Sequence, residues 1–193
     1  MVRFLAVADI HSHAEAITAI CEEAKRQAPD AIIVAGDLTN YGDATEVQRV
    51  LDSLPGRVLA IPGNIDVPRA FQVGVTKSHA EDLMGQRIEI QGVAVVGLPS
   101  RSVAKGTDCD VLVVHEPPLG VLDNVGGGRH IGFQEHLKAL RSLRPKVLLC
   151  GHCHESPGIL SLEGTTVVNC TLGSGGRGAL VECDDSHAKA WLL

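Results

Sequence analysis

The sequence predicts an α/β domain, and three observations carry that reading. Five short runs of branched and small apolar residues read as buried strands: Phe4–Ala8, Ala31–Ala35, Val58–Ile61, Val111–Val114 and Val147–Cys150. Segments of helical periodicity lie between several of them, and strand–helix–strand units of that length imply parallel pairing. Elsewhere, paired strand-like runs flank Gln91-Gly92, Glu163-Gly164 and Asp184–Ser186, which are hairpin signals, so mixed sheets are expected. Periodicity alone supports one α/β domain over residues 1–193.

The opening residues, Met1–Ala8, superficially resemble a signal peptide. Their apolar part is too short, and Asp9-Ile10-His11 stands where a small-residue cleavage site would be, so the segment reads as the first strand. Ser12 followed by Glu15 forms a capping-box pattern. Ile17, Ile20, Cys21, Ala24 and Ala28 then recur at helical spacing up to Pro29. A second helix is predicted from about Asp43 to Leu54, with Val47, Val50, Leu51 and Leu54 on one face and Pro55-Gly56 as its stop. A third runs from about Gly132 to Leu143, expected to bury Phe133, Leu137 and Leu140. The hairpins pair Arg87–Ile90 with Val93–Gly97, Ile159–Leu162 with Thr165–Cys170, and Ala179–Cys183 with Lys189–Leu193. Segments 65–86, 98–109 and 116–131 read as long irregular loops, a length that usually signals function or disorder. Each follows a strand end, so each is expected on the rim of any site there. Arg69, Arg101, Lys105 and Arg129 become candidate substrate contacts.

A chain of 193 residues is large enough for its own core, and 45% apolar residues is an ordinary globular value. Its apolar runs fall far short of the roughly 20 residues a membrane helix needs, so a cytoplasmic protein without membrane partners is expected. A net charge of −6 gives little counterion release on phosphates, which disfavours duplex nucleic acid. The aromatics Phe4, Tyr41, Phe71, Phe133 and Trp191 are scattered, leaving no base-stacking platform. Six cysteines include Cys150-Gly151-His152-Cys153, but this C-x-x-C stands late, at a strand end rather than a helix start. Free, mostly buried thiols in a reducing compartment are expected instead.

The five runs share one property: each leads into metal-ligand residues. Phe4–Ala8 leads into Asp9 and His11, Ala31–Ala35 into Gly36-Asp37, and Val58–Ile61 through Pro62 into Gly63-Asn64. Val111–Val114 leads into His115, and Val147–Cys150 into Gly151-His152-Cys153-His154. In open α/β sheets the ligand site lies beyond the carboxyl ends of the strands, so these side chains are expected in one crevice. Imidazole, carboxylate and amide oxygen without thiolate suit Mn, Fe, Ni, Co or Zn better than Mg or Ca. Rival motifs fail. His115-Glu116 lacks the second histidine of a zincin, and Gly173-Ser174-Gly175-Gly176-Arg177-Gly178 is followed by a strand-like run rather than a helix. His79, His130, His136 and His187 read as surface or supporting histidines.

These residues resemble the signature of the calcineurin-like metallophosphoesterase superfamily, D-x-H, G-D, G-N-H-D/E, H and G-H-x-H. Here it reads Asp9-Ile10-His11, Gly36-Asp37, Gly63-Asn64-Ile65-Asp66, His115 and Gly151-His152-Cys153-His154. His115-Glu116-Pro117-Pro118 and the stretch His152–Glu155 further resemble a small prokaryotic branch of predicted phosphoesterases within it. The resemblance implies a four-layer αββα sandwich with two mixed sheets. It also implies two divalent transition-metal ions, manganese foremost. Asp9, His11, Asp37 and His154 would hold the first; Asp37, Asn64, His115 and His152 would hold the second, with Asp37 as the bridge. Asn64, Asp66 and His115 are implied to serve catalysis, with hydroxide between the ions attacking phosphorus in line. His13, Arg101 and Arg129 are candidate substrate contacts, His13 through its nearness to His11.

One departure matters. Ile65 stands where many members carry a catalytic histidine, and isoleucine donates no proton. Asp66, which would orient that histidine, is expected to bond a loop backbone or a metal-ligand histidine instead. The implied function is a two-metal phosphodiesterase acting on small or nucleotide-like phosphoesters. A phosphomonoesterase is the alternative within enzymes, and a protein-interaction scaffold of the same fold is the alternative outside them. Scaffolds replace ligand residues, whereas all seven are present here.

Overall fold

The structure is a computed structural model that describes residues 1–99 and 109–193, with the Ser174 side chain excepted. Its first sheet gathers β1 (Val2–Val7), β2 (Ala31–Ala35), β3 (Val58–Ile61), β4 (Glu81–Asp82), β11 (Ala179–Cys183) and β12 (Ala188–Leu192) in the order β12-β11-β1-β2-β3-β4. The second gathers β5 (Arg87–Ile90), β6 (Val93–Gly97), β7 (Val111–Val113), β8 (Val147–Cys150), β9 (Gly158–Leu162) and β10 (Thr165–Asn169) in the order β5-β6-β7-β8-β10-β9. β1 to β4 are parallel, as are β6, β7, β8 and β10. The hairpins β5–β6, β9–β10 and β11–β12 add the antiparallel pairs, and β11 joins β1 antiparallel. Both sheets are mixed, as expected.

Alternation along the strands sets the layers. Phe4, Ala6, Ile33, Ala35, Leu59 and Ile61 point into the space between the sheets and meet Val95, Val111, Val113, Val147, Leu149 and Val168. Leu5, Val7, Ile32, Val34 and Val58 point outward, under Ile20 and Ala24 of α1 (Ala14–Gln27), Val47, Val50 and Leu51 of α2 (Ala44–Asp52), and Phe71 and Val75 of α3 (Pro68–Lys77). On the far side Val96, Leu112, Leu148 and Val167 are covered by Ala139 and Leu140 of α4 (Gln134–Leu143). Because both faces of these strands are covered, they read as continuous apolar runs. The sheets also meet at the carboxyl end of β1, where Leu172 N–H donates to Ala8 O at 2.9 Å and Ala8 N–H to Cys170 O at 3.2 Å.

Three expectations need correction. Segment 65–86 is not an irregular rim: it holds α3 and β4. Gly74 and the β-branched Val75 and Thr76 weaken its helical signal, but packing decides otherwise. A Cβ on Gly74 would lie 2.6 Å from Val47 Cβ, so glycine is what lets α3 approach α2. The capping box of α1 does not form: His13 is the N-cap, without a side-chain bond, and the Ser12 hydroxyl donates to Glu46 on α2. α4 begins at Gln134, and its buried residues are His136, Ala139 and Leu140; of the three expected, Leu140 is buried, whereas Phe133 and Leu137 are half-buried. Segment 116–131 does lack helix and strand. Asp123 ties it together, accepting from the N–H groups of Gly120 (2.9 Å) and Gly132 (3.0 Å) and pairing with His130 (2.7 Å). Arg101 and Lys105 lie outside the described residues.

Candidate metal centre

All seven expected ligands stand beyond carboxyl ends of strands: Asp9 and His11 after β1, Asp37 after β2, Asn64 after β3, His115 after β7, His152 and His154 after β8. Four of them carry left-handed backbone: Asp9 (φ 62°), His11 (50°), Asp37 (52°) and His152 (67°). Each such residue costs about 1–3 kcal/mol and persists only where its surroundings hold it. The holding bonds are visible. Asp9 N–H donates to Gly36 O and His11 N–H to Asp37 O, both at 3.0 Å, lacing the loop after β1 to the loop after β2. The His152 N–H donates to the Asp9 carboxylate at 3.0 Å, reaching across from the second sheet. Two glycines are required by close approach. A Cβ on Gly36 would lie 2.5 Å from His115 Nδ1, and one on Gly63 would overlap the Asp37 carboxylate.

The ligands fall into two groups, Asp9/His11/His154 and Asp37/His115/His152, with ligand atoms in each group within 4.8 Å of one another. Asn64 completes the second: its Oδ1 lies 3.0 Å from His115 Nε2 and 2.8 Å from His152 Nδ1. His115 Nδ1 donates to Ala35 O at 2.8 Å, which turns Nε2 toward Asp37 Oδ2, 3.3 Å away. Buried His11 Nδ1 has no hydrogen-bond partner among the described residues, as a metal-binding nitrogen would not. The donor set and this orphaned atom fit divalent transition-metal ions.

Electrostatics agree. Burial would lower the His115 pKa, but hydrogen bonding and attraction from Asp37, with Asp9 behind it, raise it to about 9. Burial would raise that of Asp9, but the His154 bond, the His115 charge and a bond from Thr171 hold it below the ordinary carboxylate value. His154 is pushed up by the same bond, whereas His152 is pushed down by burial and by His115. Two buried carboxylates thus demand positive charge, which imidazolium protons supply and metal ions would replace.

The other candidates divide. Asp66 is buried, and it bonds to loop backbone, one of the two partners expected for it, and to the Thr39 hydroxyl. It accepts from Leu38 N and Gly63 N (both 3.0 Å) and from Thr39 N (2.9 Å) and Oγ1 (3.0 Å). The carboxylate therefore clamps the loop carrying Asp37 to the loop carrying Asn64. Ile65 is half-buried, and its N–H donates to Asp37 Oδ1 at 3.2 Å. His13 is exposed, its ring centroid 6.1 Å from that of His11. Arg69 is exposed in the first turn of α3, and Arg129 is exposed in the turn between Asn124 and His130. Cys153, between the two histidines, is buried, and its thiol is directed to Glu155 (3.9 Å), outside both ligand groups.

Sequence reasoning passed over two supports. Buried Asn169 donates to Cys153 O (2.8 Å) and Ser156 O (2.9 Å) and so pins the loop carrying His152 and His154. His136, fully buried, meets Glu116 O through Nδ1 at 2.6 Å and braces the turn after His115. The spacing of His136 with Ala139, Leu140 and Leu143 is the signal that marks it as inward.

Two mixed sheets with paired Asp/His groups at their strand ends define a metallophosphoesterase arrangement. The chain belongs to the calcineurin-like phosphoesterase superfamily, whose domain matches residues 2–178. Among relatives, it is 42% identical over 62 residues to UPF0046 protein K07C11.7 of Caenorhabditis elegans, covering 32% of this chain and 21% of that protein. It is 26% identical over 223 aligned positions to human metallophosphoesterase domain-containing protein 1, covering 88% of this chain and 66% of that protein. The chain therefore spans less than two thirds of the length of either relative. A solved structure described as a novel archaeal phosphodiesterase has the same fold, with a TM-score of 0.60 at 16% identity over 99% of both chains.

Proposed function

We propose that this protein is a two-metal phosphodiesterase acting on small or nucleotide-like phosphoesters, with manganese as the foremost metal. The observation that carries the reading is the pair of adjacent groups, Asp9/His11/His154 and Asp37/His115/His152, completed by Asn64. Asp9, His11 and His154 would hold one ion, and His115, His152 and Asn64 the other, with the Asp37 carboxylate as the shared ligand. When bound, the ions supply an activated water and Lewis-acid stabilisation of charge on the phosphoryl oxygens.

The chain's own residues set the preference. Ile65 cannot protonate a departing alkoxide, so monoesters with basic leaving groups lose general-acid assistance, typically worth about 10²–10⁴-fold. Diesters carry less charge and, with aryl leaving groups, need less assistance. The acidic chain, −6 net, offers duplex nucleic acid little attraction beyond the metals. A cytoplasmic setting is part of the same proposal, supported by six free cysteines, four of them buried. No helix among the described residues is long and apolar enough to cross a membrane.

The test is elemental analysis combined with turnover of bis(4-nitrophenyl) phosphate and 4-nitrophenyl phosphate, with and without chelator. Two ions per chain, chelator-sensitive turnover and a preference for the diester are expected. A protein that takes up no metal, or is indifferent to the chelator, would sink the proposal and favour a scaffold role. Preference for the monoester would favour a phosphomonoesterase.

A further inference from the structure

Four strands end the two sheets: β12 and β4 in the first, β5 and β9 in the second. An open edge offers its backbone N–H and C=O groups to any other extended chain, and folded proteins protect such edges by brevity or charge. Three of the four follow that rule. β4 has two residues, both acidic; β5 carries exposed Arg87 and Glu89; β12 carries exposed Lys189. β9 does not. Its five residues, Gly158-Ile159-Leu160-Ser161-Leu162, hold neither charge nor proline, and Ile159 (38% exposed) and Leu160 (41%) stand in solvent. β12 packs against β9 and adds exposed Trp191 and Leu192 on the same side. Among the described residues no strand borders β9 on its outer side.

The register of β9 fixes which of its backbone groups are open. Thr166 N–H donates to Lys146 O and Cys170 N–H to Cys150 O, so Thr166 and Val168 of β10 turn their backbone groups toward β8. Ile159 is paired with Val168, and Ser161 with Thr166. Paired residues of an antiparallel ladder turn either toward each other or both away. The N–H and C=O groups of Ile159 and Ser161 therefore point outward from the sheet.

We propose that β9 is the interface of a homodimer, in which it pairs antiparallel with β9 of a second copy about a two-fold axis at Leu160. In that register Ile159 faces the partner's Ser161, and Ser161 the partner's Ile159. All of these residues turn outward, so each pair exchanges both of its N–H···O bonds. Leu160 meets the partner's Leu160 at the axis, in the close type of pair with Cα atoms about 4.5 Å apart, and its exposed apolar surface is covered. Charges do not collide. Glu163, the first charged residue after the strand, falls opposite the partner's Pro157 and is itself paired with Arg141 (2.9 Å). A second copy is favoured over an unrelated extended chain because this strand is its own complement. One two-fold operation satisfies both outward-facing residues, covers Leu160 and closes the edge on both copies. The interface is independent of the reaction at the metal centre.

The test is the sedimentation velocity of the parent at micromolar concentrations, which should give twice the monomer mass. Leu160→Lys sets two ammonium groups against each other at the axis, and Ser161→Pro removes an outward N–H that the chain's own sheet does not use. Both positions are exposed, so both variants should keep the parent's circular dichroism spectrum and sediment as monomers. Leu160→Cys reads the register: a pair this close at the axis can form a disulfide, so the oxidised variant should run as a covalent dimer on a non-reducing gel where the parent does not. A monomeric parent overturns the proposal and leaves the edge to an extended segment of another protein. Folded Leu160→Lys and Ser161→Pro variants that remain dimeric, or a dimeric parent whose Leu160→Cys variant fails to cross-link, place the interface elsewhere and overturn it as well.

Discussion

Asp66→Asn isolates the clamp beneath the metal centre. The two Asp66 oxygens accept four hydrogen bonds: Oδ1 from Thr39 N and Oγ1, Oδ2 from Leu38 N and Gly63 N. Asparagine converts one oxygen into a donor, so one of these pairs faces an NH2 group. Turned toward Leu38 and Gly63, the amide orphans two backbone N–H groups. Turned toward Thr39, whose hydroxyl can rotate to accept, it orphans one. The cheaper orientation therefore loses one buried bond outright and the ionic character of the rest, about 2–3 kcal/mol. In a domain of this size that is a fall in Tm of roughly 4–12 °C. Leu38 and Thr39 directly follow Asp37, and Gly63 precedes Asn64, so the same loosening should weaken metal binding about 10–100-fold. Thermal unfolding in chelator and a manganese titration by calorimetry measure the two effects. A variant that melts within roughly 1 °C of the parent and binds manganese equally would refute the clamp.

Asp37→Asn keeps an oxygen for the Ile65 N–H but removes the charge at the proposed shared ligand; the metal-free protein should stay folded but melt lower, because buried His115 loses its anionic partner, while turnover falls by at least about 10²-fold, and retained turnover would count against the shared carboxylate. Ile65→His should raise alkyl-monoester turnover relative to aryl-diester turnover, by up to about 10²–10⁴-fold, in kinetics on both substrates; an unmoved ratio means that position 65 does not set preference. Asp123 should make the 116–133 segment acid-labile. Burial alone would raise its pKa, but His130 and the N–H groups of Gly120 and Gly132 hold it below the ordinary carboxylate value. Its contribution is therefore present above about pH 4 and is lost as pH falls through the folded pKa. Hydrogen exchange in that segment at neutral and acid pH should show the loss in the parent. Asp123→Asn should cost about 1–3 kcal/mol at pH 7 and flatten the pH dependence.

The strands and the ligand inventory are legible in the order of the residues alone. β2, β3 and β8 begin and end where their apolar runs do, because a parallel strand covered on both faces needs an unbroken branched run. The ligands were legible because each follows such a run directly, and covalent connection alone then carries it to the strand end. What those side chains do to one another was decided by contacts far apart in the chain. Asp66 could be placed beside Asn64, but that it would clamp Leu38 and Thr39, 28 and 27 residues away, depends on the packing of two loops. The left-handed backbone at Asp9, His11, Asp37 and His152 runs against local preference and is held by bonds between the loops after β1 and β2, and in part across the two sheets. α3 escaped notice for the same reason. Gly74 weakens a helix locally, and only the approach to Val47 on α2 makes that residue the right one. Periodicity and covalent spacing are local quantities that a sequence displays. Strain relief, hydrogen-bond partners and close helix contacts are differences between alternative folded neighbours, and they acquire a sign only once the two sheets have closed on each other.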